Sequence, residues 1–599
     1  MSLNGRLTSL RLVLARHATT FRPRQPRRGN SLAVDVFCQQ QKRGLNEFIY
    51  RAPESQDQHH QQRHEEANNT FRLAIKDNIA TLPADGPTTC ASRILAGHNS
   101  PYEATVVAHL KRRGARVVGK TNLDEFGMGG HSVHSAYGPV AQEICLSEAE
   151  IHDLVRDAGS RTAAEEGKKS GSEHEKESKT PQLLRLSAGG SSGGSALAVA
   201  SGAADIALGT DTGGSVRLPA AYCGVVGFKP SYGMLSRYGV VPYANSLDTV
   251  GLLARDVTSL RSLVLGQGEG ETSDGLWTEH DPRDPTSLSS GARRRCAAER
   301  KFYAPTAPLS KTGIGEQEAK RVLQPLTFGI PAEYNIEELE PCIRQAWHDT
   351  AIFLREAIGA RVVPVSLPST KHALSAYYII APAEASSNLA KYDGVRYGPK
   401  QSEIEAQNSK STNDADTKPP NERVLYSTVR GQNFGPEVQR RILLGSYTLS
   451  SEAIDNYFIQ AQRIRALVRR DFDRVLRLSN PLLDADAQRF DLAEMDEAVV
   501  LEDKLGPPQV DFLLCPTAPT LPPKLDDVLA REKSSPTEAY MNDVFTVPAS
   551  LAGLPAVSIP HKVKGQPAWR NTMGLQIIGQ YWDDARLLAV AEALTALNK

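Results

Sequence analysis

Two glycine- and serine-rich stretches hold the residues best suited to chemistry. Residues 189–195 read Gly-Gly-Ser-Ser-Gly-Gly-Ser, and residues 209–219 read Gly-Thr-Asp-Thr-Gly-Gly-Ser-Val-Arg-Leu-Pro. Glycine pairs let a backbone take φ > 0 or pass close to a ligand. The N–H groups of such a turn can converge and hold a developing oxyanion. Ser215 follows Thr212-Gly213-Gly214, so a nucleophile there would have backbone donors at Thr212–Ser215 beside it. A serine nucleophile also needs a base. Lys76 ends the apolar run Leu73-Ala74-Ile75. A lysine closing an apolar strand is expected to be partly buried. Burial disfavours the ammonium, lowers its pKa and leaves an amine able to accept a proton.

Other readings of the same residues compete. A Gly-rich turn before a helix can cradle phosphate, but no Gly-Lys-Ser/Thr follows here. Residues 190–194 satisfy G-x-S-x-G, the elbow of a serine hydrolase with a histidine base. The sequence just upstream is polar rather than a buried strand, however, and His280, His348, His372 and His561 fall in no matching context. A flexible linker is disfavoured because Ala-rich helical and apolar strand sequence interleaves with the glycines. Lys76 alone reads more readily as an ordinary strand-end lysine with a solvated head, and its case depends on what accompanies it.

The positioning elements alternate. A strand ends at Lys76, a helix spans Ala104–Arg113 and a strand runs Ala115–Gly119. Ala196–Ala200 is helical. Cys342–Ile358 has helical apolar periodicity, followed by the strand Arg361–Val365. Helices are predicted at Glu437–Leu444 and Ser451–Leu476, and short apolar strands at Phe512–Cys515 and Ala556–Ile559. Strands alternating with helices predict an α/β fold, a central mixed β-sheet covered on both faces by α-helices. Polar, low-complexity insertions are expected near 159–181, 268–325, 399–425 and 478–508, where little apolar area could offset chain entropy.

The 599 residues carry 69 Lys+Arg against 69 Asp+Glu, a net charge of zero that excludes a strongly basic nucleic-acid binder. No run of eighteen apolar residues occurs, so no membrane association is expected. Seven cysteines without a Cys-x-x-Cys exclude a disulfide scaffold and give no metal-ligand pattern. The charge is uneven. Residues 1–34 hold seven Arg and no Lys, Asp or Glu, with Leu3, Leu7, Leu10 and Leu14 on one helical face. That composition predicts a mitochondrial (matrix) targeting segment. Residues 35–70 read as an N-terminal arm or linker, and 71–599 as one catalytic domain decorated with insertions. Without the leader the net charge becomes −7.

Residues 189–226, together with Lys76, resemble the amidase signature family. The 24-residue spacing from Ser191 to Ser215 is that of its Ser–cis-Ser–Lys arrangement. The resemblance implies Ser215 as nucleophile, Ser191 as the bridging serine after a Gly in a cis peptide bond, and Lys76 as general acid/base. Thr212, Gly213, Gly214 and Ser215 would form the oxyanion hole. Within that family, Tyr377–Leu389, Tyr392–Gly398, Arg440–Gly445 and Asn542–Pro548 resemble the glutaminase subunits of tRNA-dependent amidotransferases. This narrower resemblance implies that Arg441 holds the glutamine α-carboxylate, Asp543 its α-amino group, and Tyr377 a further substrate contact. The charges are suited to those poles. It also implies an ammonia-receiving B subunit (kinase/transamidase) that would carry ATP and Mg, a small C-type or equivalent subunit, and Glu-tRNA(Gln) bound through the complex. No cofactor is expected in this chain. The alternative is a free-standing small-amide amidase.

Overall fold

The computed structural model describes residues 43–53, 70–146, 183–266, 275–276, 280–300, 313–399, 427–483 and 509–597. The expected leader and the insertion at 159–181 lie outside them, as does nearly all of 399–425. Strands β1 (Arg43–Leu45), β5 (Ala141–Cys145) and β6 (Leu183–Ser187) form a small antiparallel sheet in the order β1-β5-β6. The main sheet has eleven strands. They are β2 (Phe48–Arg51), β3 (Phe71–Lys76), β4 (Ala115–Thr121), β7 (Ile206–Asp211), β8 (Val226–Lys229), β9 (Thr249–Ala254), β10 (Thr327–Pro331), β11 (Arg361–Val365), β12 (Phe512–Pro516), β13 (Ala556–Lys562) and β14 (Thr572–Ile578). Their order is β11-β10-β12-β14-β13-β8-β9-β7-β3-β4-β2. Pairing is parallel at β3/β4, β3/β7, β10/β11 and β10/β12, and antiparallel elsewhere. This is the mixed sheet that the alternating elements predict.

Central strands are buried along their whole length, as β7, β9 and β12 show. A strand covered on both faces reads as a continuous apolar run. Helix α1 (Gly193–Ala200) is buried at every position. Its Gly and Ala residues let it pack closely beside α2 (Arg217–Cys223) and β7. Of the long helices, α3 (Ala373–Asn388) packs against both α4 (Pro436–Thr448) and α5 (Phe458–Val475).

Several elements differ from expectation. Residues 43–45 and 48–51, within the expected arm or linker, form strands, and β2 closes one edge of the main sheet against β4. Its half-buried Phe48-Ile49-Tyr50 run is too short to stand out from polar surroundings. Within 268–325 the chain forms helices at Ser290–Arg300 and Glu316–Leu323. The first buries Arg293 and Arg300 along with Ala292 and Cys296, and arginines on the inner face mask its amphipathicity. The helix predicted at Cys342–Ile358 ends in a single π-turn at Leu354–Ile358, and α5 starts at Phe458, after a run of turns.

Candidate active site

Lys76 ends β3, and β3 pairs parallel with β7, whose final residues lead into the Ser215 turn. Adjacent parallel strands therefore deliver both groups to the same end of the sheet, past the C-terminal ends of β3 and β7. Lys76 is fully buried. Its Nζ lies 2.8 Å from Ser191 Oγ, 2.9 Å from Ser192 Oγ and 2.9 Å from Thr210 Oγ1. Burial lowers the Lys76 pKa to about 7, against the opposing pull of Asp124, Asp211 and Asp248. Lys76 is thus buried head and stem, beyond the partial burial that its strand-end position implies, and its nearest side-chain neighbours are hydroxyls.

Ser191 sits in a tight turn, and the Gly190–Ser191 peptide bond is cis. The turn is fastened from one loop. Ser132 Oγ donates to Gly189 O at 2.8 Å and to Ser191 O at 3.3 Å, and the Asp124 N–H donates to Ser191 O at 3.3 Å. The Asp124 carboxylate accepts from the N–H groups of Ser132 and His134 at 2.9 and 3.0 Å. A Cβ on Gly190 would lie 2.6 Å from the His131 nitrogen, so this approach requires glycine.

The Ser215 turn is braced beneath by a buried ion pair. Arg217 donates through Nε and Nη2 to the two oxygens of Asp211 at 2.9 and 2.8 Å. Burial would raise the Asp211 carboxyl, but the guanidinium outweighs it and holds the group below the usual carboxylate range. Gly213 O accepts from Arg217 Nη2 at 3.3 Å, and Gly214 O accepts from the Leu218 N–H at 2.8 Å. Trans peptide planarity then turns the N–H groups of Gly214 and Ser215 to the opposite side. Val216 N–H is committed to Asp211 at 3.2 Å, and Thr212 Oγ1 donates to Asp248 at 2.8 Å. The Ser192 N–H donates to Ser215 O at 3.1 Å, so the two serine turns are joined directly.

Arg441, Asp543 and Tyr377 converge beside this turn. A Cβ on Gly213 would meet the Tyr377 ring at 2.7 Å, and one on Gly214 would lie 3.3 Å from Asp543 Oδ1. Arg441 is buried on α4. It donates to Glu437 Oε1 at 2.7 Å and to the Tyr243 hydroxyl at 2.5 Å, and its guanidinium faces the rings of Tyr378 and Tyr540, each 5.3 Å away. Of the neighbouring arginines, Arg441 points inward while Arg440 is partly exposed. Tyr378 donates to Asp543 Oδ2 at 2.8 Å. Burial raises the Asp543 pKa to about 6, against the lowering effects of Tyr378 and Arg441. A cationic and an anionic group thus share one aromatic-walled recess next to Ser215.

Several further members of the site differ in how much signal they carry in the sequence. Glu437 lies four residues before Arg441 on a predicted helix, and that spacing is a readable ion-pair signal. Ser192 and Thr210 stood inside the stretches already singled out. Tyr243 had no local signal, because its contact with Arg441 spans 198 residues. Among the described residues, no group of three or more His, Cys, Asp or Glu is placed to hold a metal, and no helix is long and apolar enough to cross a membrane.

Comparison with known proteins bears on this geometry. The family model described as Amidase matches residues 45–144, 175–289 and 296–588. The chain is 55% identical over 599 residues to the A subunit of the mitochondrial glutamyl-tRNA(Gln) amidotransferase of Neurospora crassa, covering 99% of this chain and 98% of that one. Identity to the protein of the same description from Podospora anserina is 54%, over 95% and 97% of the two chains. Among solved structures, the A subunit of the glutamyl-tRNA(Gln) amidotransferase of Thermotoga maritima superposes with a TM-score of 0.55 at 30% identity, covering 88% and 82%. With its family match spanning most of the sequence and relatives this similar over nearly their full length, the chain belongs to the amidase family.

Proposed function

We propose that this mitochondrial chain is the glutamine-hydrolysing subunit of a Glu-tRNA(Gln) amidotransferase. It releases ammonia for the conversion of Glu-tRNA(Gln) to Gln-tRNA(Gln). The observation that carries this reading is Lys76, fully buried, with a pKa near neutrality and 2.8 Å from Ser191. A protonated Lys76 can donate to all three surrounding hydroxyl oxygens. A neutral Lys76 can donate to Ser192 and Thr210 and still accept from Ser191. Ser192 favours that arrangement, because its own hydroxyl donates to Thr210 O at 3.3 Å. Both protonation states are satisfied without rearrangement, as an acid/base group requires.

Glutamine enters with its α-carboxylate on Arg441 and its α-ammonium on Asp543, which leaves the side-chain amide over Ser215. Ser215 gives its proton to Ser191 as Ser191 passes its own to Lys76. Ser215 Oγ bonds to the amide carbon. The N–H groups turned away from the Arg217 side, those of Gly214 and Ser215, stabilise the oxyanion, with Thr212 and Gly213 completing the turn. Lys76 returns the proton through Ser191 to the amide nitrogen, the C–N bond breaks and ammonia leaves. Water then attacks the glutamyl ester by the same relay, releasing glutamate and restoring Ser215. This is nucleophile–base logic with lysine in place of histidine.

The ammonia passes to a partner, a B subunit (kinase/transamidase) that holds ATP and Mg and activates Glu-tRNA(Gln). A small C-type or equivalent subunit completes the complex. A body at −7 once residues 1–34 are removed suits a chain that leaves most tRNA contacts to its partners. The test is purification of the complex from mitochondria and assay of glutaminase activity with and without Glu-tRNA. Hydrolysis stimulated by Glu-tRNA is expected. A complex that forms but releases no ammonia from glutamine refutes the reading.

A further inference from the structure

His131 is a buried imidazole that the reaction above does not use. Its Nδ1 lies 2.9 Å from Ser187 Oγ, and its Nε2 lies 3.0 Å from Asn542 Nδ2. The ring is 6% exposed and is stacked on Tyr222, with centroids 6.4 Å apart. Each end of the imidazole reaches a different part of the site. Ser187 Oγ accepts from the Gly189 N–H at 3.1 Å and so sets the entry to the Gly189–Ser191 turn. Asn542 precedes Asp543, and Tyr222 OH donates to its Oδ1 at 3.4 Å. The two contacts span 56 and 411 residues of sequence. Burial lowers the His131 pKa to about 4, so the ring is neutral and offers one donor and one acceptor.

We infer that His131 is a positioning residue for glutamine hydrolysis: one buried imidazole sets the Ser191 turn through Ser187 and the Asp543 loop through Asn542. The inference rests on the glutaminase reading above. The catalytic serines lie beside regular elements, Ser215 just after β7 and Ser191 just before α1. Asp543 lies on a short 3₁₀ turn, Glu538–Asp543, of which only Asn542 is buried. A carboxylate that must meet an ammonium at a fixed distance from Ser215 needs that turn held against the catalytic centre. The His131 and Tyr222 contacts to the Asn542 amide supply such a hold from two sides.

The two arms can be cut separately. In His131→Asn the side-chain amide reaches the Nδ1 position and keeps Ser187 but falls short of Asn542. In His131→Gln it reaches the Nε2 position and keeps Asn542 but loses Ser187. Both variants are assayed in the purified complex, with wild-type glutamine hydrolysis as the reference. If wild type hydrolyses no glutamine, the functional reading fails and not this inference. With wild type active, His131→Asn should raise the glutamine KM about five- to tenfold with kcat within about twofold, the scale of one buried hydrogen bond. His131→Gln should instead lower kcat by a similar factor and hold KM. Asn542→Leu, which also releases Tyr222, should raise KM at least as much, and His131→Asn should add nothing on top of it, because the His131–Asn542 contact is then already gone. The inference is overturned if the two His131 variants change KM and kcat alike, or if they lower only the melting temperature. Additive Asn542 and His131 effects overturn it as well.

Discussion

The most exposed consequence of the site is its pH dependence. Lys76 must be neutral to accept the Ser191 proton, and burial brings its pKa to about 7. A base with a lowered pKa gains its active form at lower pH than an ordinary lysine and loses it as pH falls through about 7. The neutral fraction is about nine-tenths at pH 8, about half at pH 7 and about one-tenth at pH 6, so kcat/KM should fall about tenfold between pH 8 and 6. An ordinary lysine near 10.4 would be neutral in only about 0.04% of molecules at pH 7 and would give about tenfold per unit from pH 7 to 9. Asp543, with its pKa raised to about 6, adds a second feature. Below pH 6 it too becomes protonated in the free enzyme and stops binding the ammonium. The slope of log kcat/KM against pH should therefore steepen from one towards two, whereas kcat at saturating glutamine keeps a slope of one, because bound ammonium holds Asp543 ionised. Asp543→Asn should remove the steepening. The assay is ammonia release over pH 5–9 in constant ionic strength. A profile flat from pH 6 to 8, or one still climbing tenfold per unit beyond pH 8.5, would refute a buried, relay-linked lysine.

Three further outcomes are expected. Ser215→Ala should abolish glutamine-dependent amidation in the complex but leave amidation driven by added ammonium; loss of both with the complex intact would contradict ammonia transfer. Arg441→Ala should raise the glutamine KM about 10- to 100-fold, the loss of a charged hydrogen bond of about 1.5–3 kcal/mol, and should lower the melting temperature because buried Glu437 loses its guanidinium; an unchanged KM would remove Arg441 from the substrate. Gly213→Ala would place a methyl 2.7 Å from the Tyr377 ring and should cost about 10²-fold in kcat/KM by displacing that ring or the Ser215 turn, so wild-type rates in that variant would show that the turn is not held at that spacing.

Legibility in the sequence followed the range of the interactions. Gly189–Ser195 and Gly209–Pro219 were readable because their chemistry is local, and Lys76 because it ends an apolar strand. The fold class was readable because β3, β4, β11, β12 and β13 are short apolar runs between helices. Pairing order was not, since β12 and β14 are neighbours although β13 lies between them in sequence. Helix α3, which carries Tyr377, escaped periodicity because its Ala-rich sequence buries residues on several sides and includes Pro382. The roles of Arg441 and Asp543 came only from resemblance. Taken singly, each is a charge on a polar stretch, and what distinguishes it is a wall of Tyr243, Tyr378 and Tyr540 drawn from distant segments.

The separation of Lys76 from Ser191 by 115 residues does not loosen the site, and the small sheet shows why. The chain leaves that sheet at the end of β5 and re-enters at the start of β6, where Cys145 and Leu183 are cross-strand partners. From that pair the ladder runs back to Ala141 opposite Ser187. The segment between Cys145 and Leu183 therefore begins and ends at one point, remote along the ladder from Ser187, which opens the Ser191 turn. Loop closure grows only logarithmically with length, about 0.6 kcal/mol per doubling, so a charged insertion there costs little stability. The position of Ser191 is set instead by groups on the near side of the ladder: Ser132 and Asp124 on the turn, and His131 on Ser187. Shortening residues 147–182 to a tight connection should thus leave the pH profile and KM in place, whereas a single change at Ser132 or Asp124 should not.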